Sequence, residues 1–149
     1  MLLLTLLGCA GRGELTFADF EMSWEEESAS LIVNRLGRTL LNLQGIEIGT
    51  GSASVEFQSG SYYFDDETVD WERVDSFKVL SRQTTGTFVA DLRSADGASL
   101  GLLQIFASSE QQLEVRIDSN RDSNRARLTL ACTGDDTFLG TGGHAMDVD

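Results

Sequence analysis

Residues 112–118 read Gln-Leu-Glu-Val-Arg-Ile-Asp, and their reading decides the fold. Leu113, Val115 and Ile117 alternate with Glu114, Arg116 and Asp118, a period of two that sends apolar side chains to one face and charged ones to the other. That is the pattern of a half-buried strand. Fourteen residues later Ala-Arg-Leu-Thr-Leu-Ala-Cys (126–132) repeats it, with Leu128, Leu130 and Cys132 opposed to Arg127, Thr129 and Ala131.

Upstream, Thr87–Ser94 and Ser99–Ser108 are more continuously apolar, as expected of strands covered on both faces. Turn chemistry separates these runs at Thr84–Gly86, at Ala95–Ala98 around an Asp-Gly pair, at Ser108–Glu110 and at Ser119–Asn124. The expectation from residue 76 onward is an antiparallel meander of about five strands. In the first half, Leu15–Trp24 reads as a strand, Ala29–Gln44 as strands folded at Asn34–Gly37, and Ser54–Phe64 as one or two more. Asp65–Asp75 holds six acids around Val69 and Trp71 and reads as a loop or an edge strand. No helical period of ordinary length occurs. Some ten strands of this kind predict an all-β fold, an antiparallel β-sandwich.

The chain has 149 residues, suited to one domain, and 41% are hydrophobic. Eleven basic residues face 24 acidic ones, a net charge of −13, which repels phosphate backbones and argues against nucleic acid as a partner. Neutral ligands such as sugars remain compatible with it.

Residues 1–9, Met-Leu-Leu-Leu-Thr-Leu-Leu-Gly-Cys, are too few to span a bilayer. They resemble the end of a bacterial lipoprotein signal peptide, in which a small residue precedes a cysteine that becomes lipidated. That resemblance implies a signal segment at 1–9, lipidation at Cys9 and a sandwich over 10–149. It also implies a place in the bacterial cell envelope, on the periplasmic or extracellular side, with the membrane met only through the lipid. Cys132 is then left without a disulfide partner and reads as a small buried hydrophobe.

Several constellations support no chemistry. Asp118–Asn124 opens like a calcium-binding loop, but Ser123 stands where glycine is required and Thr129 where the bidentate glutamate is required. A lone His144 without metal-ligand spacing makes a poor zinc site, and the glycines at 140, 142 and 143 lack the lysine of a phosphate loop. No metal and no cofactor are expected. Trp24, Trp71, Tyr62, Tyr63 and Phe64 are of the type that stacks on sugar rings, although in a sandwich most such residues belong to the core.

The closing segment, Asp135–Asp149 (Asp-Asp-Thr-Phe-Leu-Gly-Thr-Gly-Gly-His-Ala-Met-Asp-Val-Asp), carries a resemblance. It is similar to glycoside hydrolase family 31, the α-glucosidase and α-xylosidase family. There the last strands of an N-terminal, galactose-mutarotase-like β-sandwich lead into an acid-aromatic-Gly-x-Gly segment followed by an aspartate. Asp136, Phe138, Gly140 and Gly142 match the first part, and Asp147 or Asp149 the second. Gly143 and His144 stand where the family commonly has glutamate after the second glycine.

The resemblance implies a non-catalytic accessory domain of a retaining α-glycosidase acting on α-glucans or other α-glycosides. Its catalytic aspartates would come from a C-terminal α/β barrel that is not in this sequence. Phe138, Gly140, Gly142, His144, Asp147 and Asp149 would shape the substrate pocket or dock against the barrel. The alternative is a stand-alone envelope lipoprotein that binds carbohydrate or protein through its sandwich face. A single histidine cannot supply the pair used in sugar ring opening, so an independent mutarotase is not expected.

Overall fold

The computed structural model describes residues 11–109, 112–119 and 123–131, and their side chains except those of residues 62–68. The strands are β1 (Arg12–Phe17), β2 (Phe20–Glu25), β3 (Ser30–Arg35), β4 (Arg38–Gln58), β5 (Ser61–Arg73), β6 (Ser76–Gln83), β7 (Thr87–Arg93), β8 (Ser99–Ser109), β9 (Gln112–Ser119) and β10 (Arg125–Leu130). The helix among the described residues is one 3-10 turn at Glu26–Ser28. Every pairing is antiparallel. One sheet runs β1-β2-β3-β4-β10 with β5 also paired to β4, and the other runs β6-β7-β8-β9. The fold is an all-β antiparallel sandwich.

The two sheets share one apolar core. Phe17, Phe20, Met22, Trp24, Leu31, Leu43 and Ile46 enter it from the first sheet, and Phe77, Phe88, Leu92, Leu103 and Ile105 from the second. Aromatic contacts tie the layers together. The Trp24 and Phe88 ring centroids lie 5.0 Å apart, and Phe77 meets Phe88 edge-on at 6.2 Å. Gly13, directly across from Trp24, leaves room for that indole, since a Cβ there would lie 2.2 Å from Trp24 Cζ2.

Three readings are corrected. Leu15–Trp24 is a hairpin rather than one strand, turning at Ala18 and Asp19 so that Phe17 pairs with Phe20. Its buried residues are Leu15 and Phe17 before the turn, then Phe20, Met22 and Trp24 after it. The change from odd to even positions follows from the two-residue turn. The meander after residue 76 has four strands, because β10 leaves that sheet and pairs with β4 in the other. The stretch 54–64 forms no strand of its own. It is the tip of the β4–β5 hairpin, turning at Ser59 and Gly60.

Two further readings differ from the structure: Leu128 on β10 is 40% exposed, and β7 and β8 are buried on one face, not two. Other turn and edge readings agree with it. The strands fold back at Leu36 and Gly37, residues up to Arg73 form a strand paired to β4 alone, and the Asp96-Gly97 turn joins β7 to β8. There the Ala98 amide donates to Asp96 Oδ1 at 3.0 Å. Leu113, Val115 and Ile117 pack against the core from β9, half-buried, while Glu114, Arg116 and Asp118 are exposed.

Candidate functional site

The outward face of β1, β2 and β3 is a three-by-three array fixed by register. Arg12, Glu25 and Ser30 form one row, Glu14, Ser23 and Ile32 the next, and Thr16, Glu21 and Asn34 the third. The inward residues Leu15, Phe17, Phe20, Met22, Trp24, Leu31 and Val33 are apolar and buried, so alternation sends this set to solvent. Arg12, Glu14, Ser23, Glu25, Ser30 and Ile32 line a groove of about 550 Å3. A second hollow of about 360 Å3 adjoins it, sharing Glu14 and Ser23 and adding Thr16, Glu21 and Asn34.

One end of the groove is held by a polar chain. Arg12 Nε donates to Glu25 Oε1 at 2.7 Å, with the Arg12 Nη2 on the same oxygen. Ser28 Oγ donates to Glu25 Oε2 at 3.0 Å and lies 2.9 Å from Ser30 Oγ. The hydrogen bond from Arg12, followed by that from Ser28, lowers the Glu25 pKa from the ordinary glutamate value. Arg12 is thereby neutralised in place. The two hollows together offer hydroxyls, the Asn34 amide, carboxylates and the Arg12 guanidinium, with Ile32 as the apolar member of the outward array. That set suits a neutral polyhydroxylated ligand and repels an anionic one.

The tryptophans serve the structure. Trp24 is buried against Phe88. Trp71 lies across Gly49, its cross-strand partner, where a Cβ would approach within 2.8 Å of the ring. The Arg127 guanidinium sits over the same indole, 4.2 Å from its centroid, and Arg127 Nη1 bonds Glu47 Oε2 at 3.1 Å. Both rings are engaged in packing within the protein. The side chains of Tyr62, Tyr63 and Phe64 lie outside the described residues.

Of the segment that opens like a calcium site, residues 120–122 lie outside the described residues, and the residues on either side bond within the sandwich. Asp118 Oδ2 accepts from Gln104 at 2.6 Å. The Asn124 amide pairs with the Gly51 backbone, accepting from its N–H at 3.1 Å and donating to its carbonyl at 2.9 Å. Among the described residues no group of three or more His, Cys, Asp or Glu could hold a metal ion, and no helix is long and apolar enough to cross a membrane.

Cys9, Phe138, Gly140, Gly142, His144, Asp147 and Asp149 lie outside the described residues, as does Cys132. The structure delivers the chain toward that segment. β10 runs along β4, and the Ala131 amide donates to the Asn42 carbonyl at 2.8 Å. The groove residues had no sequence signal as a set. Alternation puts each on an outward face, but strand order decides that they are neighbours. No family model, curated protein or solved structure matches this chain.

Proposed function

We propose that this sandwich is the non-catalytic N-terminal domain of a retaining α-glycosidase of the family 31 type, galactose-mutarotase-like in topology, whose terminal segment helps to shape a pocket in an α/β barrel. The observation that carries the reading is the position of β10. It is the last described strand, it closes the first sheet beside β4, and it releases the chain at Ala131 toward the acid-aromatic-glycine segment 135–149. A last sandwich strand followed by that segment is the order the resemblance calls for. Phe138, Gly140, Gly142, His144, Asp147 and Asp149 are the residues proposed to meet the barrel or the sugar. Glycines there let another segment approach the backbone closely. In this reading the catalytic carboxylates act from the barrel by double displacement.

The test is to sequence the DNA that follows codon 149 and express the uninterrupted reading frame. The longer product is expected to hydrolyse p-nitrophenyl α-glycosides and the 149-residue chain to be inactive on them. A stop codon directly after Asp149 in an intact gene defeats the reading. Attachment to the bacterial envelope through Cys9 is proposed with it, and radiolabelled palmitate is expected to enter the wild-type protein and not a Cys9→Ser variant.

A second reading, a carbohydrate-binding module acting through the sandwich face, is favoured by one observation. The contiguous hollows over β1–β3 carry uncharged hydrogen-bonding groups beside Ile32. Calorimetry with maltotriose distinguishes it. Millimolar binding that Ser23→Ala with Glu14→Ala weakens supports the module, and heat-silent titration at that concentration removes it.

A further inference from the structure

The hollows over β1–β3 carry an uneven charge. At one end Arg12 and Glu25 cancel, and both oxygens of the Glu25 carboxylate are occupied, one by Arg12 and the other by Ser28. Further along stand Glu14 on β1 and Glu21 on β2, both exposed. Among the described residues neither carboxylate has a hydrogen bond or an ion pair. Glu14 lines both hollows and Glu21 the second. Pairing sets them on one face a row apart: Glu14 is opposite Ser23, and Glu21, two residues earlier on β2, is opposite Thr16. Diagonal neighbours of this kind lie roughly 7–8 Å apart, within reach of long side chains, so the two carboxylates can meet on a single cation. By themselves they repel one another, and the cation of the array, Arg12, is already bound to Glu25.

Uncharged hydrogen-bonding groups lie beside the two carboxylates. Ser23 and Thr16 bring hydroxyls. Asn34 brings an amide whose Oδ1 accepts from Thr39 Oγ1 at 2.9 Å, so its N–H groups are the part left for a ligand. The second hollow, lined by these residues, measures about 360 Å3. A simple cation would use the carboxylates and leave the rest unpaired. A neutral sugar would use the hydroxyls and the amide and leave the charge uncompensated. A sugar that carries an ammonium group answers both, with three N–H donors for the carboxylates and ring hydroxyls for Ser23, Thr16 and Asn34. We propose that the hollow between Glu14 and Glu21 binds an amino sugar, its ammonium held between the two carboxylates, as the selective subsite of the sandwich face. The inference rests on the second reading above, that of a carbohydrate-binding module.

The experiment is calorimetry on the 149-residue chain with the trimer of glucosamine, its N-acetylated form, maltotriose and spermidine. It is run at about pH 5.5, which keeps the sugar amines protonated, and at about 0.01 M salt, where the Debye length is roughly 30 Å. The glucosamine trimer is expected to bind at least about fivefold more tightly than either neutral sugar, and to lose that advantage at about 1 M salt. In Glu14→Gln with Glu21→Gln the ratio is expected to fall to about one; both positions are exposed, so the exchange disturbs no buried contact. Equal affinity of the wild-type chain for the glucosamine trimer and maltotriose overturns the ammonium subsite and leaves the module standing. An unchanged ratio in the double variant overturns its assignment to these carboxylates. Spermidine binding as tightly as the glucosamine trimer overturns the sugar, since charge alone then suffices. Heat from none of the sugars at millimolar concentration removes the module and the subsite together.

Discussion

Leu36 has a φ of 49° and stands with Gly37, φ 75°, in the two-residue turn between β3 and β4. Positive φ at both positions is the geometry of a type I′ turn, whose twist matches the flanking strands. Ser59 (φ 51°) and Gly60 (φ 83°) repeat it at the tip of the β4–β5 hairpin. A leucine in the left-handed region costs about 1–2 kcal/mol, and asparagine is far better suited to it. Leu36→Asn is therefore expected to stabilise the protein by about 1 kcal/mol, read as a higher urea midpoint with unchanged slope. A lower midpoint would mean that Leu36 makes a contact that outweighs its backbone cost. At Glu25 the expected outcome concerns pH. Its folded pKa is lowered, so whatever the Arg12 pair contributes is whole above the ordinary glutamate range. That contribution is lost as pH falls through the lowered value. In an NMR titration Arg12→Ala is expected to move the Glu25 midpoint upward, toward the ordinary range. An unmoved midpoint would leave Ser28, and not Arg12, as the main partner.

At the scale of elements, bulges and close approaches set which residues face the core. In β4, Leu41 and Leu43 point inward from odd positions, and Ile46 and Ile48 from even ones. The switch lies at Gln44, which β10 skips when Leu130 pairs with Leu43 and Thr129 with Gly45. Without that extra residue the second half of β4 would turn its isoleucines to solvent. Sequence alternation shows both halves but not where the frame changes. Gly101, which pairs with Ser119, leaves no room for a side chain between β8 and β9. A Cβ there would lie 2.4 Å from the Asp118 carbonyl oxygen, a backbone atom that has no side chain to swing away. Gly101→Ala is expected to cost about 1–3 kcal/mol and to speed amide exchange along Leu113–Ile117. Unchanged exchange in a folded variant would show that the strands separate without penalty. Runs such as Ser99–Ser108 were legible as strands from their apolar content, but the structure buries one face and leaves Leu102, Gln104 and Phe106 half-buried on the other. The hairpin at Ala18 and Asp19 was not legible, since Asp19 is the one turn former there and only pairing of Phe17 with Phe20 reveals it.

Across the whole molecule, the sandwich depends on aromatic residues that cross between layers. Phe88 touches Trp24 from the opposite sheet and Phe77 from its own. It is fully buried, so Phe88→Ala is expected to cost about 3–5 kcal/mol and to unfold both sheets in one transition. Two separated transitions in calorimetry would contradict a shared core.

The sequence by itself determined that this protein is built of paired strands, because the period of two is a property of the backbone and needs no partner to be seen. It determined the net charge of −13, because charge adds up whatever the fold. Only the tertiary structure decided which strands are neighbours, that β10 leaves the meander for β4, and that nine residues from three strands line one groove. It also decided that Trp71 lies under Arg127 instead of open to a ligand. The reason is physical: lateral order arises from two sheets burying one another's apolar faces, and that is a property of the packed whole which no single stretch of chain contains.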